Sequence, residues 1–216
     1  MTTVNTDTMS RITDTPAGES DRAMSAGGRF AAMDDERLMV QKAAEGDTMA
    51  FERLFDKYQN FVWSVAYRMT YRQESAEDLA QEVFLIAWRK LPGFAGKSAF
   101  STWLYRITVN TTLNWRRGAG RYVSLPEPGE WEPGDPANDH APERAAMARD
   151  AERTLARLLD RLEDDRRLAF ILREIEGLSY DEIAKATSWP VGTVRSRLAR
   201  ARDQLATMAR EMEEQP

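Results

Sequence analysis

Apolar residues recur along this chain at intervals of three and four residues, the spacing that places side chains on one side of an α-helix. The clearest stripe comes near the end of the chain and consists of Val194, Leu198, Ala201, Leu205 and Met208. No segment alternates apolar and polar residues as a half-buried strand would, and no internal repeat appears. The pattern therefore predicts an all-α fold.

Two helices are predicted at the start of the patterned region. The first begins at Asp34 and ends at Gly46, and Asp47 is placed to cap the second. The second helix is long, and its apolar positions predict a core helix. These positions are Phe51, Leu54, Phe55, Tyr58, Phe61, Val62, Val65, Ala66 and Met69.

A third predicted helix, Ala76–Leu91, is apolar on more than one side. Leu79, Val83 and Ile86 form one line, and bulky apolar residues point in neighbouring directions. Only a narrow edge is polar. Such breadth indicates burial on two sides, either against a partner protein or within a small core. The second set of apolar residues is Phe84, Leu85 and Trp88, and the polar edge is Asp78, Gln81, Glu82 and Arg89.

The fourth predicted helix starts at about Ala99 and combines a buried line with a face of amides and guanidiniums. Amides read base edges and guanidiniums hold phosphates, so this face predicts nucleic-acid contact, with a solvated surface as the alternative. The preceding loop has an aromatic ring and a positive charge that can receive an unstacked base. The buried line is Phe100, Trp103, Leu104, Ile107 and Thr111; the polar face is Arg106, Asn110, Asn114 and Arg117; the loop holds Phe94, Gly96, Lys97 and Ser98.

Four more helices are predicted in the C-terminal part, and the last two form a helix-turn-helix. The second of the four stops at Gly177, a natural C-cap. Ser179 and Glu182 have the spacing of a capping box, which predicts a helix from Tyr180 to Thr187. Arginines lie off the apolar stripe of the final helix, as in a basic recognition helix that enters the major groove. A solvated arginine face is the alternative reading. The off-stripe residues are Arg195, Ser196, Ala199, Arg200 and Arg202.

Composition and charge divide the 216-residue chain into two small domains. We predict a disordered tail over residues 1–33, a first domain over 34–117, an acidic linker over 118–142, a second domain over 143–210 and a tail over 211–216. The net charge of -5 argues only weakly against DNA binding, because the linker alone supplies about four of the negative charges. Its charged residues are Arg121, Glu127, Glu130, Glu132, Asp135 and Asp139.

Several classes of chemistry find no support in the sequence. The chain has no cysteine, which excludes disulfides, thiolate catalysis and cysteine-based zinc sites. Its single histidine, His140, falls in the acidic linker and is expected to be solvated. No phosphate-binding glycine loop, nucleophile elbow or zinc-protease motif occurs, so no catalytic residue, cofactor or metal is predicted. Without a secretory or membrane-spanning apolar run, a cytoplasmic protein is expected.

Three motifs in order, DLAQEVFLIAW, FSTWLYRITVNTTLNWRR and LSYDEIAKATSWPVGTVRSRLARAR, closely resemble a bacterial RNA polymerase sigma factor of the extracytoplasmic-function group. The resemblance covers about residues 36–117, as sigma region 2, and 143–208, as sigma region 4. It implies a non-enzymatic subunit that binds core RNA polymerase and directs promoter-specific initiation. It also implies a dedicated anti-sigma factor, while the lack of a membrane-spanning apolar run predicts no insertion into a membrane.

The resemblance also implies a division of labour among residues. The third helix would dock on the β′ clamp helices, and the leucine-rich surface of residues 155–172 on the β flap. The fourth helix and its loop would melt and read the -10 element, and the recognition helix would read the -35 element. The core-binding residues are Asp78, Gln81, Glu82, Phe84, Leu85 and Trp88. The -10 residues are Phe94, Lys97, Ser98, Trp103, Arg106, Asn110, Asn114 and Arg117; the -35 residues are Thr193, Arg195, Ser196, Arg197 and Arg200.

The chain departs from the family pattern at a few positions. Ser188 stands where many such turns carry glycine, Pro190 stands at a position often held by a capping serine, and Lys97 is basic in a loop that is often acidic. Proline is acceptable at a helix start because only an orphan amide is lost. The linker, at about 3.1 Å per residue, reaches roughly 75 Å. Promoter elements about 17 base pairs apart lie about 58 Å from each other, so the linker can span them.

Two other functions remain open on the sequence. One is a stand-alone helix-turn-helix regulator whose N-terminal helices sense a ligand or dimerise. The other is a helical enzyme with an accessory DNA module. A sigma factor requires core polymerase for initiation, whereas a free regulator protects DNA without it.

Overall fold

The structure, a computed structural model, describes residues 26–118 and 142–213, and within these two ranges it is helical with no strand. The predicted all-α fold is confirmed. The helices are α1 (Ala26–Ala44), α2 (Thr48–Thr70), α3 (Gln73–Lys90), α4 (Phe100–Gly118), α5 (Pro142–Asp160), α6 (Asp164–Phe170), α7 (Tyr180–Thr187) and α8 (Val191–Glu213). A 3₁₀ turn, Leu91–Gly93, follows α3, and a π-helical turn, Ile171–Ile175, extends α6.

Local sequence signals account for several helix ends. The Asp47 carboxylate accepts a hydrogen bond from the Ala50 amide at 3.1 Å, as predicted for a cap of α2. The helix stops where Tyr71 turns left-handed, with φ at 53°. α1 begins at Ala26, earlier than the predicted Asp34, although Gly27 and Gly28 are poor helix formers. α3 likewise begins at Gln73, earlier than the predicted Ala76.

The helix-turn-helix forms as the sequence predicts. Gly177, with φ at 72°, lets the Leu178 amide donate to the Leu172 carbonyl at 2.9 Å and closes the preceding helix. In the capping box, the Glu182 amide donates to Ser179 Oγ at 3.2 Å, and the Ser179 amide donates to Glu182 Oε2 at 2.8 Å. The helix then spans Tyr180–Thr187, and Ser188 makes the turn to α8.

Buried apolar side chains form two clusters. One lies wholly among α1–α4 and includes Leu54, Val62 and Leu104. The other begins at the C-terminal ends of α2 and α4 and continues into α5–α8, so it joins the N-terminal and C-terminal helices. The predicted stripe of α8 belongs to this second cluster: Val194, Leu198, Ala201 and Leu205 are buried, and Met208 packs against them.

The two halves of the chain therefore pack on each other, an arrangement that the sequence did not predict. α7 lies against α4, and α6 lies against α2 and α4. At the centre of this contact the Arg167 side chain is fully buried. Its guanidinium donates to the Leu159 carbonyl at 2.8 Å and to Asp160 at 2.7 Å within its own half, and to the Met69 carbonyl of α2 at 3.5 Å.

Several predictions lie outside the described residues. They are the greater part of the N-terminal tail, the linker with its acidic residues and His140, and the end of the chain. Within the described part, no helix combines the length and the apolar character that crossing a bilayer requires.

Replacing Ser188 by glycine should stabilise the protein. Ser188 has φ at 60° and ψ at 24°, a left-handed conformation that is strained for residues with a Cβ. Part of this gain is lost to the greater freedom of glycine when unfolded, so we expect about 0.5 kcal/mol in the free energy of unfolding. Urea unfolding should show a higher midpoint for Ser188→Gly. The β-branched Ser188→Val should shift the midpoint downward, and equal shifts of both variants would contradict the reasoning.

Candidate nucleic-acid and partner-protein interfaces

The side of α8 opposite its buried stripe presents a basic surface. Arg195, Ser196 and Arg200 are exposed, and Thr193 is half-buried at the start of the helix. Ser196 Oγ donates to the Thr193 carbonyl at 3.0 Å, and the Arg195 guanidinium lies 5.9 Å from the Tyr180 ring centre. This surface can approach a DNA groove with the guanidiniums of Arg195 and Arg200 facing the DNA.

Two other arginines of α8 are engaged within the C-terminal helices. Arg197 Nη2 lies 2.5 Å from the Asp165 carboxylate, and its guanidinium stacks 3.8 Å from the Trp189 ring centre. Arg202 pairs with Glu174. These contacts fix α8 against α6 and the turn, so they set the tilt of the recognition helix. Arg197 was predicted to contact DNA phosphates. To do so, its guanidinium would have to leave Asp165 and Trp189 or bind a phosphate while it still contacts them.

The capping-box carboxylate is stabilised in its ionised form. Hydrogen bonds from the Ser179 hydroxyl and amide hold the pKa of Glu182 below its usual value, with Lys185 acting in the same direction. A carboxyl with a lowered pKa stabilises the fold above its ordinary pKa, and this contribution is lost as the pH falls through the lowered value. The start of α7 is therefore firmly held near neutral pH.

The predicted polar face of α4 forms as one surface. Arg106, Asn110, Asn114 and Arg117 are all exposed. On the opposite line Phe100, Leu104, Ile107 and Thr111 are buried as predicted, whereas Trp103 is only half-buried. The face is not wholly free, because Arg106 Nη2 donates to the Lys185 carbonyl of α7 at 3.0 Å. The amides of Asn110 and Asn114 are therefore open to solvent. They lie between the guanidiniums of Arg106 and Arg117, and that of Arg106 is hydrogen-bonded to α7.

The loop before α4 is anchored by aromatic packing. The Phe94 ring lies 5.1 Å from the Trp103 ring and 6.2 Å from the Phe100 ring, centre to centre. Gly96 adopts φ of 65°, and Lys97 and Ser98 are exposed beyond it. The structure thus brings Phe94 of the predicted loop next to Trp103, in the first turn of α4.

An open apolar groove lies between α2 and α3, with a volume of about 350 Å³. Leu85 is 48% exposed in it, whereas Phe84 is 6% exposed because its ring packs 4.5 Å from that of Phe55. Asp78, Gln81 and Glu82 are exposed on the same helix. The groove is lined by Thr48, Phe51, Phe55, Gln81, Phe84, Leu85 and Trp88.

The broad apolar character of α3 therefore has a double origin: one side packs in the core and another stays open. Phe51 and Phe55 were predicted only as core residues of α2, but Phe55 is 38% exposed and both line the groove. Helical spacing alone could not reveal this, because a groove residue and a core residue have the same period.

Sequence comparisons identify the two halves of the chain. Residues 54–122 match the family model Sigma-70 region 2, and residues 152–205 match Sigma-70, region 4. The chain is 40% identical over 176 residues to the RNA polymerase sigma-H factor of Pseudomonas aeruginosa, which covers 79% of this chain and 91% of that protein. It is 38% identical over 174 residues to the ECF RNA polymerase sigma-E factor of Escherichia coli K12, over 78% and 91% of the two chains.

The chain belongs to the sigma-70 family of RNA polymerase sigma factors, in its extracytoplasmic-function group.

Solved structures of sigma factors share the fold. A structure of CnrH in complex with the cytosolic domain of CnrY has a TM-score of 0.63 at 25% identity, over 82% of this chain and 99% of that one. The sigma factor RpoE of Bartonella quintana, in complex with the anti-sigma factor NepR, has a TM-score of 0.58 at 25% identity, over 74% of this chain and 96% of that one. The predicted family and the two sigma domains are confirmed.

The surfaces described above divide between the two sigma regions. The polar face of α4, its loop and most of the apolar groove lie in region 2, and the basic surface of α8 lies in region 4. Thr48 and Phe51 line the groove from just before the matched residues. Residue-level roles on these surfaces remain predictions, which the following substitutions test.

Substitution of three arginines of α8 should separate DNA reading from folding. Arg195→Ala and Arg200→Ala should each weaken binding to a -35 duplex by about 1–3 kcal/mol and leave the unfolding midpoint unchanged, because both side chains are exposed. Arg197→Ala should lower the free energy of unfolding by about 1–2 kcal/mol, because it removes a charged hydrogen bond and a ring contact. Fluorescence anisotropy and chemical unfolding measure the two effects. An Arg197→Ala variant with full stability would contradict this partition.

Proposed function

We propose that this sigma factor binds core RNA polymerase through the apolar groove of region 2, reads the melted -10 element with the polar face of α4, and reads the -35 duplex with α8. The observation that carries the proposal is that, within one small domain, the open aromatic groove between α2 and α3 shares no residue with the exposed amide–guanidinium face of α4. A protein partner and a nucleic acid can then occupy that domain together.

The groove supports a protein partner. Exposed aromatic and leucine side chains that surround a pocket are typical anchors of protein interfaces, and acidic residues at the rim favour a basic partner. Leu85 and Trp88 supply the anchors, and Asp78 and Glu82 supply the rim. By the family likeness the partner is the β′ clamp-helix coiled coil, with a second contact between the region 4 surface at residues 155–172 and the β flap.

The polar face of α4 supports contact with an opened strand. Trp103 lies beside the Phe94 loop, so an unstacked base can enter next to aromatic rings and the exposed Lys97 and Ser98. Asn110 and Asn114 follow along the same helix with free amides. Arg106 and Arg117 supply charge for the phosphates.

The same proposal covers the remaining features of the chain. Region 2 occupies residues 34–117 and region 4 residues 143–210, with an acidic connection between them, a tail over residues 1–33 and a tail over residues 211–216. The sigma factor binds the polymerase and positions it at the promoter, and the polymerase itself forms the bonds of the transcript. The place of action of the sigma factor is therefore the cytoplasm, where the polymerase and the promoter are. The solved relatives bound to CnrY and to the anti-sigma factor NepR support an anti-sigma partner here as well. The relatives do not favour a stand-alone regulator.

Leu85→Glu should weaken binding to core polymerase without unfolding the protein. The substitution places a charge in the apolar groove, where it would be desolvated on docking, so affinity should fall by about 100-fold. Leu38→Glu is the matched control, because Leu38 is 50% exposed and does not line the groove. Titration of labelled core polymerase measures both. Equal loss in the two variants would place the interface elsewhere.

Asn110→Ala should impair promoter opening or -10 choice and leave core binding intact. The side chain is exposed on the polar face and lies away from the groove, so its loss removes base contacts alone. Permanganate footprinting of the opened strand and the core-binding titration distinguish the two steps. Loss of core binding in this variant would show that α4 has been given the wrong role.

A further inference from the structure

The loop before α4 is supported at its start by α1. The Phe94 amide donates to the Leu91 carbonyl at 2.9 Å, which closes the 3₁₀ turn that leads into the loop. Leu91 is fully buried in the same apolar cluster as Val40 and Ala43 of α1, and α1 packs directly on this turn. The start of the loop is therefore positioned by a helix that precedes the residues matched by the region 2 family model.

The end of the loop is supported by Tyr58 of α2. This side chain is buried, and its ring centre lies 5.5 Å from that of Phe100, the first residue of α4. The Phe100 ring in turn lies 6.2 Å from the Phe94 ring and 5.6 Å from the Trp103 ring. A continuous series of ring contacts therefore runs from Tyr58 to the two aromatic side chains beside which an unstacked base can enter.

The hydroxyl of Tyr58 ties α1 to this series of rings. It donates to Glu36 Oε2 at 3.0 Å, and the same carboxylate pairs with Lys57 on the outer side of α2. Burial raises the pKa of Tyr58, and Glu36 acts in the same direction, whereas a side-chain hydrogen bond with Ser101 of α4 opposes them. The hydroxyl therefore stays protonated near neutral pH and remains a donor to α1.

The polar contact adds something that apolar packing at this place does not supply. A phenylalanine would fill the space of the Tyr58 ring, but a hydrogen bond between partly buried groups also fixes a direction. The residues that support a binding site must hold its contact groups to within about 0.5 Å. The hydrogen bond from Tyr58 to Glu36 provides such a support, because it fixes α1 against the ring that packs on Phe100.

We propose that Tyr58 and Glu36 are positioning residues for the -10 site: their hydrogen bond fixes α1 relative to the start of α4 and so determines how strictly the Phe94 loop selects its base. This inference rests on the proposed function, because it assumes that the loop and α4 read the -10 element. Neither residue lines the apolar groove or belongs to the polar face of α4. Their effect on base choice is therefore exerted through Phe100 and through the 3₁₀ turn.

A promoter library tests the proposal with the full chain bound to core polymerase. The library is randomised over both the -35 and the -10 element, and the DNA retained in heparin-resistant open complexes is sequenced. Tyr58→Phe keeps the ring and removes the hydroxyl, so it should reduce the preference at the most selective -10 position by about threefold or more. The -35 preferences and the affinity for core polymerase should stay within about twofold of the parental values. A parental -10 profile in Tyr58→Phe would overturn the proposal.

Substitutions of the partner carboxylate separate the hydrogen bond from the ion pair. Glu36→Ala should weaken the -10 preference as Tyr58→Phe does. Glu36→Gln should retain the parental preference, because its amide oxygen still accepts from the Tyr58 hydroxyl. Lys57→Ala is the matched control, since it removes the other partner of Glu36 at an exposed position and should also give the parental profile. Equal -10 profiles of Glu36→Ala and Glu36→Gln would contradict a role for this hydrogen bond.

A further control separates positioning from a general loss of stability. Asp47→Ala removes the cap of α2 in the same domain and leaves the Tyr58 contacts in place. Its urea midpoint should fall, but its -10 profile should stay parental. Equal weakening of the -10 preference in Asp47→Ala and Tyr58→Phe would reduce the role of Tyr58 to stability alone and overturn the proposal.

Lys97→Ala and Asn110→Ala check the proposed function in the same library. Both side chains are exposed on the surfaces to which we assign -10 reading, so each variant should alter the -10 profile. If both variants alter it and Tyr58→Phe does not, the positioning role is wrong and the proposed function stands. If neither variant alters it, the loop and α4 do not read the -10 element, and both proposals are wrong.

Discussion

The buried guanidinium of Arg167 is the interaction on which the arrangement of this molecule depends. It connects the end of α5 to α6 through the Leu159 carbonyl and Asp160, and it reaches the last turn of α2 at the Met69 carbonyl. Burial lowers the pKa of this group, with the nearby Arg116 acting in the same direction, while Asp160 opposes the change. An arginine without such partners would be too costly to bury at this site. The core of region 4 and its contact with region 2 therefore share one charged centre.

Much of the fold follows from signals that act over a few residues. The cap at Asp47, the capping box of Ser179 and Glu182, and the stop at Gly177 all form as their local sequence predicts. The apolar stripe of α8 is also buried where its period places it. Such features need no knowledge of the rest of the chain, because a helix end is satisfied by neighbours three or four positions away.

The features that the sequence did not reveal depend on distant residues. Ser64 and Glu176 meet although 112 positions separate them, and nothing near either residue signals the other. Arg167 stands in an acidic and basic run that resembles a solvated helix start. The arginines of α8 look equivalent as a pattern, yet Arg197 is anchored on Trp189 and Asp165 while Arg200 is exposed. Tertiary packing alone assigns these roles.

The division among the α8 arginines has a consequence in conformational entropy. Arg197 and Arg202 lose their rotameric freedom when the domain folds, whereas Arg195 and Arg200 keep most of theirs until DNA binds. Ordering a long side chain costs up to about 1.5–2 kcal/mol. For Arg195 and Arg200 this cost falls in the binding step, so the net gain of about 1–3 kcal/mol at a correct base is what remains after it. At a wrong base the guanidinium finds no paired acceptors and the gain is lost, so these two side chains make affinity depend on sequence.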